Sequence, residues 1–285
     1  MTMRVVLVTG AGTGFGRLTA EALAARGHHV WAGVRDVGGR NEKAAAELRS
    51  AGVTVVELDV LDQASADAAV AAVVDAEGRL DAVINNAGRM FAGPVESFTA
   101  AEIQTILDVN VLGPARVARA ALPVLRGQGH GVLIQNGSLA GWVSMPYTGL
   151  YSASKAAVKA LVEAWHHELA PFGVESVTVD AASYPTNIGA NAGSPTDLDR
   201  LAPYGANFTG FLSDVTARAT STEPGDPREV ADVFVRLVEM PDGTRPRRTI
   251  VAPVSEHDAV TAATTAADSA TESVATGMGV RAHLV

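Results

Sequence analysis

A chain of 285 residues, nearly half of them apolar, is long enough to close a sizeable hydrophobic core. Its 22 basic and 31 acidic residues leave a net charge of −9, which argues against a nucleic-acid surface. With no cysteine, disulfides, thiolate nucleophiles and cysteine-based zinc sites are excluded, and the apolar run in the opening MTMRVVLVTGAG is too short for a signal peptide or a membrane span. The expectation is a cytoplasmic protein with no membrane partner.

Short β-branched runs alternate with alanine-rich helical stretches. RVVLVTG reads as a strand, and the stretch through RLTAEALAARG as a helix that stops at Gly27. HHVWAGVR is a strand, NEKAAAELRSAG a helix ending at Gly52, VTVVELDV a strand, QASADAAVAAVVDAEG a helix and LDAVINNAG a strand. One long helical region is expected from about Thr99 to Arg126, then the strand GVLIQNGS, a helix from about Tyr151 to Pro171 and the strand VESVTVD. After an irregular insert come a helix following Pro227 and a last strand, RTIVAP.

Continuous Val/Ile runs mark strands buried on both faces, so the pattern predicts a parallel sheet covered by helices. Repeated βα units make this an α/β chain, a single doubly wound Rossmann-type domain over residues 1–254. Residues 189–226 carry Gly, Pro, Asn and aromatics, as a cover over a ligand would. Residues 255–285 are Ala/Thr-rich and weakly patterned, a tail that is either disordered or packed on a partner subunit. Arg245, Arg247 and Arg248 read as a solvated loop, and His28 and His29 as surface residues at a strand start. WHHEL at 165–169 is not a metal motif, because the adjacent His166 and His167 cannot meet one ion from one helix face, and no metal is expected.

TGAGTGFG at 9–16 follows the first strand and opens the first helix. The spacing is G-x-x-x-G-x-G, at Gly10, Gly14 and Gly16, rather than G-x-G-x-x-G. Glycines there let the backbone turn tightly and approach a pyrophosphate at a helix N-terminus, so Gly10, Thr13, Gly14, Phe15 and Gly16 form the candidate cradle. The second strand ends AGVRD, with Val34 where an acid would bond a ribose 2′-hydroxyl and Arg35 next to it. An arginine pairs a 2′-phosphate, which favours NADP(H); Asp36 keeps NAD(H) as the alternative.

LYSASKAAV at 150–158 sets Tyr151 four residues before Lys155, on one helix face with small residues between. A nearby cation favours phenolate over phenol, which suits a proton donor and acceptor. Taken in order, TGAGTGFG, Asp59-Val60, NNAG at 85–88, Asn110, Ser138 and YSASK at 151–155 resemble the short-chain dehydrogenases/reductases over residues 4–253. The resemblance implies that Asp59 and Val60 flank the adenine and that Asn86, Ala87 and Gly88 line the central cofactor groove. It makes Asn110, Ser138, Tyr151 and Lys155 the catalytic set. Tyr151 would give a proton to the developing alkoxide, Lys155 would bond the nicotinamide ribose, Ser138 would hold the substrate oxygen, and Asn110 would anchor a water behind Lys155.

The family's Pro-Gly after the sixth strand is replaced by Ala181 and Ala182, which alters the loop if a positive φ is needed there. Tyr184, Pro185, Thr186 and Ile188 still resemble the nicotinamide-side segment. The helices around 99–126 and Tyr151 are the family's usual docking faces, so a homodimer or homotetramer is expected. Met90, Phe91, Leu139, Trp142, Met145 and Tyr184, with Phe208 and Phe211 from the cover, make a bulky apolar lining. That lining fits a hydrophobic ketone or secondary alcohol of aromatic or steroid size. The alternatives are a 3-oxoacyl-carrier-protein ketoreductase, which should show basic surface at the entrance, a hydroxysteroid dehydrogenase, and a non-catalytic NADP sensor on the same fold.

Overall fold

The structure is a computed structural model, and it describes residues 2–219 and 225–285. Seven parallel strands lie in the order β3-β2-β1-β4-β5-β6-β7: β1 Val5–Thr9, β2 His29–Val34, β3 Thr54–Glu57, β4 Ala82–Asn85, β5 Gly131–Asn136, β6 Val174–Ala181 and β7 Arg248–Val251. The helices between them are α1 Gly14–Ala25, α2 Glu42–Ser50, α3 Gln63–Glu77, α4 Ala100–Leu107, α5 Gly113–Gln128 and α6 Gly149–Leu169. The insert carries the short α7 Asn187–Ala190 and α8 Leu198–Leu201 and the longer α9 Gly205–Ala219; α10 Pro227–Glu239 and α11 Val254–Gly277 complete the set. Residues 220–224 of the expected cover lie outside the described residues.

The alternation of side chains along each strand divides the core in two. Val6 and Val8 of β1 face one cluster with Ala20 and Leu23 of α1 and Val230, Phe234 and Leu237 of α10. Val5 and Leu7 face the other, with Val70 and Val73 of α3 and Val117, Ala121 and Leu125 of α5. The strand order reverses between β1 and β4, which opens a crevice at the carboxyl ends of these strands.

Five expectations are corrected. The helical region at 99–126 is interrupted by a π-helical turn, Asp108–Leu112, that separates α4 from α5. Pro114 has no N–H to give the carbonyl of Asn110 four residues back, so the regular ladder fails there, and the N–H of Gly113 closes instead on the Asp108 carbonyl. The 255–285 tail contains a 24-residue helix, α11, tied to the body by Arg247 and Arg248, which both pair with Asp268. Its threonines satisfy themselves: the hydroxyls of Thr265, Thr271 and Thr276 donate to carbonyls one turn back, at Thr261, Ala267 and Glu272.

The arginine cluster is not a solvated loop. Arg245 is buried, ion-paired with Glu175 and Asp242, and donates to the Leu237 and Met240 carbonyls at 2.6 and 2.9 Å. Arg248 pairs with Glu163 at 2.8 Å. His28 is buried as well: its Nδ1 accepts the Arg4 N–H at 3.2 Å, which leaves Nε2 to donate to Glu239 at 3.3 Å. Finally, Ala182 needs no left-handed backbone. Among the described residues Asp36 and Tyr147 are the non-glycines with positive φ, and the N–H of Ala182 donates to the Val251 carbonyl at 2.8 Å.

Candidate functional site

The crevice floor is stitched across three strands. The Thr9 hydroxyl, at the end of β1, accepts the N–H groups of Asn86 and Ala87, each at 3.0 Å. The Asn86 amide donates to the carbonyls of Thr9 and Gly10 at 3.0 and 3.2 Å and accepts from the Asn136 amide at 3.1 Å. Gly10 has φ +61°, and a Cβ there would lie 2.8 Å from the Ala87 Cα; a Cβ on Gly16 would run into the Asn86 amide. These two glycines are therefore required by close approach of the turn to the strand ends. Thr13 precedes α1 in extended conformation without a side-chain cap bond, and the first turn of α1 holds no acid. An anion would meet uncapped N–H groups there. Phe15 turns its ring edge-on to Tyr184, with centroids 5.9 Å apart.

At the end of β2 the Arg35 side chain is exposed. Asp36 turns through φ +51° and points its carboxylate back along the chain, accepting the Arg40 N–H at 3.1 Å and standing 3.6 Å from the Arg40 Nε. Glu57 fixes this bend by accepting the N–H groups of Asp36 and Val37 at 2.6 and 2.9 Å. Asp59 holds its own turn, accepting the Leu61 N–H at 3.0 Å, and Val60 packs on Gly113 with its carbonyl bonded to Arg116.

The four expected catalytic residues lie after β5, in the π-turn and on α6, and hydrogen bonds and a close approach of Gly141 to the Lys155 carbonyl link these segments. Ser138 follows β5, caps a short 3₁₀ turn and accepts the Ala140 N–H at 3.1 Å. One helical turn separates the half-buried Tyr151 from the buried Lys155, whose Nζ lies 5.7 Å from the Tyr151 ring centroid and donates to the Asn136 carbonyl at 2.8 Å. Asn110, 2 % exposed, sits in the π-turn. Its side chain accepts the Arg89 N–H at 2.8 Å and donates to the Arg89 carbonyl and the Ser154 hydroxyl at 2.8 and 2.9 Å. Ser154 in turn donates to the Tyr151 carbonyl at 2.7 Å. Gly88 lies against Asn110, 3.4 Å from where a Cβ would stand.

The expected apolar lining does not assemble as a whole. Leu139 is buried beside Ser138, Met145 is exposed and Met90 is half-buried. Phe91 belongs to a buried cluster with Phe98, Ile106 and Leu150 that packs under Tyr151, so it supports the wall rather than forming it. Trp142 is turned away: its Nε1 donates to Asp180 at 2.8 Å, and Lys159 and Arg248 lie over its ring at 4.1 and 4.4 Å. Burial pushes the carboxyl of that Asp180 up, against the bonds from Trp142 and Thr178. Tyr184 is sealed between Phe15 and α10, and its hydroxyl donates to Glu229 at 3.1 Å; burial, then Glu229, raises the phenol to about 12. Its side chain is thus removed from the substrate lining, while Pro185 and Ile188 are exposed and Thr186 faces Gly14 at 3.7 Å from where a Cβ would stand. Sequence reading missed Tyr147, whose ring lies 5.2 Å from both Phe208 and Phe211 of α9. Nothing in the local pattern marks it, because its placement depends on a left-handed backbone.

The family model described as short chain dehydrogenase matches residues 4–196. Human 17-beta-hydroxysteroid dehydrogenase type 1 is 33 % identical over 254 residues, covering 86 % of this chain and 76 % of the relative. The 3-ketodihydrosphingosine reductase of Bacteroides thetaiotaomicron is 33 % identical over 191 residues, 67 % of this chain and 68 % of the relative. A crystal structure of a short-chain dehydrogenase from Streptomyces avermitilis superposes with a TM-score of 0.74 at 29 % identity, over 98 % of both chains. An alcohol dehydrogenase from Thermococcus sibiricus complexed with 5-hydroxy-NADP gives a TM-score of 0.71 at 27 % identity, over 89 % of this chain and 97 % of that one. A Burkholderia phymatum short chain dehydrogenase/reductase in complex with NAD gives 0.73 at 27 % identity, over 91 % of each.

Proposed function

Since the chain belongs to the short-chain dehydrogenase family, oxidoreductases acting on CH–OH and C=O groups with a nicotinamide cofactor, we propose that it interconverts a bulky hydrophobic ketone and its secondary alcohol with NADP(H). The observation that carries the reading is the Tyr151–Lys155 pair on α6, fixed by the Lys155 bond to the Asn136 carbonyl, with the turn that Ser138 caps packed on Lys155 through Gly141. The crevice residues fit the cofactor. Gly10 and Gly16 let the turn close on the ends of β1 and β4, the uncapped start of α1 would face a pyrophosphate there, and Asn86, Ala87 and Gly88 would form the adjoining wall. Bound there, the nicotinamide supplies or accepts a hydride at the carbonyl carbon. Ser138 Oγ donates to the carbonyl oxygen and Tyr151 Oη gives that oxygen its proton as negative charge develops. Lys155 spends one N–H on Asn136 and keeps two for the cofactor ribose and the tyrosine side.

Arg35 stands free at the rim while the Asp36 carboxylate is taken up by Arg40, an arrangement that supports a 2′-phosphate over a bare ribose hydroxyl. Leu139 beside Ser138 and the Tyr147–Phe208–Phe211 rings support the substrate class, as do the steroid and the 3-ketodihydrosphingosine in the names of the two relatives, both with large hydrocarbon parts.

One panel tests the reading: NADPH with small aliphatic, aryl and steroid ketones and with β-ketoacyl thioesters, for the parent and for Tyr151→Phe. Aryl or steroid ketones should lead, and Tyr151→Phe should lose at least a hundredfold in kcat while still binding NADPH. Faster turnover of thioesters would install the carrier-protein reading. Tyr151→Phe activity within tenfold of the parent would remove Tyr151 as donor.

A further inference from the structure

Tyr147 has φ +60°, a backbone that L side chains rarely adopt, four residues before the tyrosine assigned the proton. Two contacts hold it there. Its carbonyl accepts the N–H of Gly93 at 2.7 Å, which ties it to the segment after β4. Its ring is clasped by Phe208 and Phe211, each 5.2 Å away and tilted by 48° and 54°, which ties it to α9. Tyr147 is thus the point where three segments around Tyr151 meet: residues 90–93, the Ser138–Met145 loop and the insert.

The insert is anchored differently at its start. Gly193 pairs with the Met90 carbonyl and the Ala92 N–H at 2.9 and 3.0 Å, the Thr196 N–H donates to Glu102 at 3.0 Å, and Tyr204 donates to Glu96 at 2.5 Å. These polar bonds fasten residues 193–204. Along α9 the residues from 205 to 217 are exposed except Phe208 and Phe211, the two that grip Tyr147. Leu212 and Val215 are 41 % and 43 % exposed on the same helix. The first turns of α9 meet Tyr147 through two aromatic side chains, so a ligand lying against these rings can shift that part of the helix without breaking the polar anchors before it.

We propose that Tyr147 is the specificity-determining residue of the site: its ring is the post on which α9 closes, and the Tyr147–Phe208–Phe211 cluster meets the distal, uncharged end of the ketone. The inference rests on the reductase reading and narrows its substrate to ketones whose far end is apolar and broad enough to lie against three rings. A charged or strongly hydrated far end would lose its water there without a partner.

The test uses the full chain with Tyr147→Ala, Tyr147→Gly and Tyr147→Phe. Tyr147→Gly accepts the left-handed backbone, so it separates loss of the ring from failure to fold. Two readouts are taken: amide hydrogen exchange across 205–217 without substrate, and kcat/KM for an aryl ketone against a small aliphatic ketone. Both ring-deleting variants should speed exchange in α9 at least tenfold and reduce the aryl-to-aliphatic kcat/KM ratio at least tenfold, chiefly through KM for the aryl ketone. Tyr147→Phe should recover the parent's ratio and protection. An unchanged ratio or unchanged α9 exchange in both Tyr147→Ala and Tyr147→Gly overturns the proposal. A parent that turns over no ketone refutes the reductase reading instead, and the exchange arm then still decides whether Tyr147 holds the helix.

Discussion

The carboxylate of Asp36 follows Arg35 directly and yet does not contest the same ligand. Its left-handed backbone swings the side chain toward the Arg40 N–H, and Glu57 locks the bend from the neighbouring strand. A residue that reads as a possible ribose partner in sequence is spent on the turn itself, and Arg35 is left exposed at the rim. A charged hydrogen bond to phosphate is worth about 1.5–3 kcal/mol, roughly ten- to a hundredfold in affinity. Arg35→Ala should therefore weaken NADPH by that factor and leave NADH nearly unchanged, as read by quenching of intrinsic fluorescence. The NADPH loss should shrink at high salt, because the site is open to solvent. Equal affinity of the parent for both cofactors would end the argument from Arg35.

At the scale of elements, the interruption between α4 and α5 shows how a site residue is placed by a defect. Asn110 reaches Arg89 and Ser154 because the π-turn inserts an extra residue where Pro114 cannot bond back. Asn110→Ala would leave the Arg89 N–H and carbonyl and the Ser154 hydroxyl short of partners in a buried place. At about 1 kcal/mol per bond the expected loss is about 2–3 kcal/mol in urea unfolding, with a lower kcat as the Tyr151 turn loosens. A loss under about 0.5 kcal/mol would show that the asparagine is not a tie between the loop and α6. The strands were legible because runs such as VVLVT and GVLIQ admit no other burial, and Tyr151 and Lys155 because helical spacing alone places them together. The π-turn was not, since Gly113-Pro114 looks like any helix start, and the missing N–H of Pro114 matters only because the helix runs on through it from α4 into α5. Trp142 and Tyr184 read as pocket residues from size and position, but their polar atoms found Asp180 and Glu229, partners remote in sequence. The helix of the tail hid for a related reason: its buried positions include Val260, Thr264 and Ala275, too small and too polar to form a stripe.

Across the whole molecule, charge pairs close the sheet's amino-terminal side. Arg26, before β2, bonds both oxygens of Glu239 at the end of α10, at 2.5 and 2.8 Å, and His28 approaches the same carboxylate. Beside it, Arg4 pairs with Asp242, which also meets the buried Arg245. The pairs of Arg26 and His28 with Glu239 and of Arg4 with Asp242 join segments more than two hundred residues apart, so they report on the global fold and not on a local turn. The Arg26 guanidinium, and then His28, hold the Glu239 carboxyl below its ordinary value of 4.5. A carboxyl depressed in the folded state stabilises fully above its unfolded value, and that contribution disappears as pH falls through the folded one. Glu239→Gln should therefore melt about 1–3 °C below the parent at pH 7, a modest step because Arg26 lies at the surface. The gap should persist above the ordinary carboxylate value of 4.5 and narrow as pH falls below it through the depressed folded-state value, as the parent's own carboxylate takes up its proton. Melting curves of the two proteins at pH 7, 5 and 3.5 decide it. A gap that does not narrow at all between pH 5 and 3.5 would mean that Glu239 acts through packing against His28 rather than through its charge.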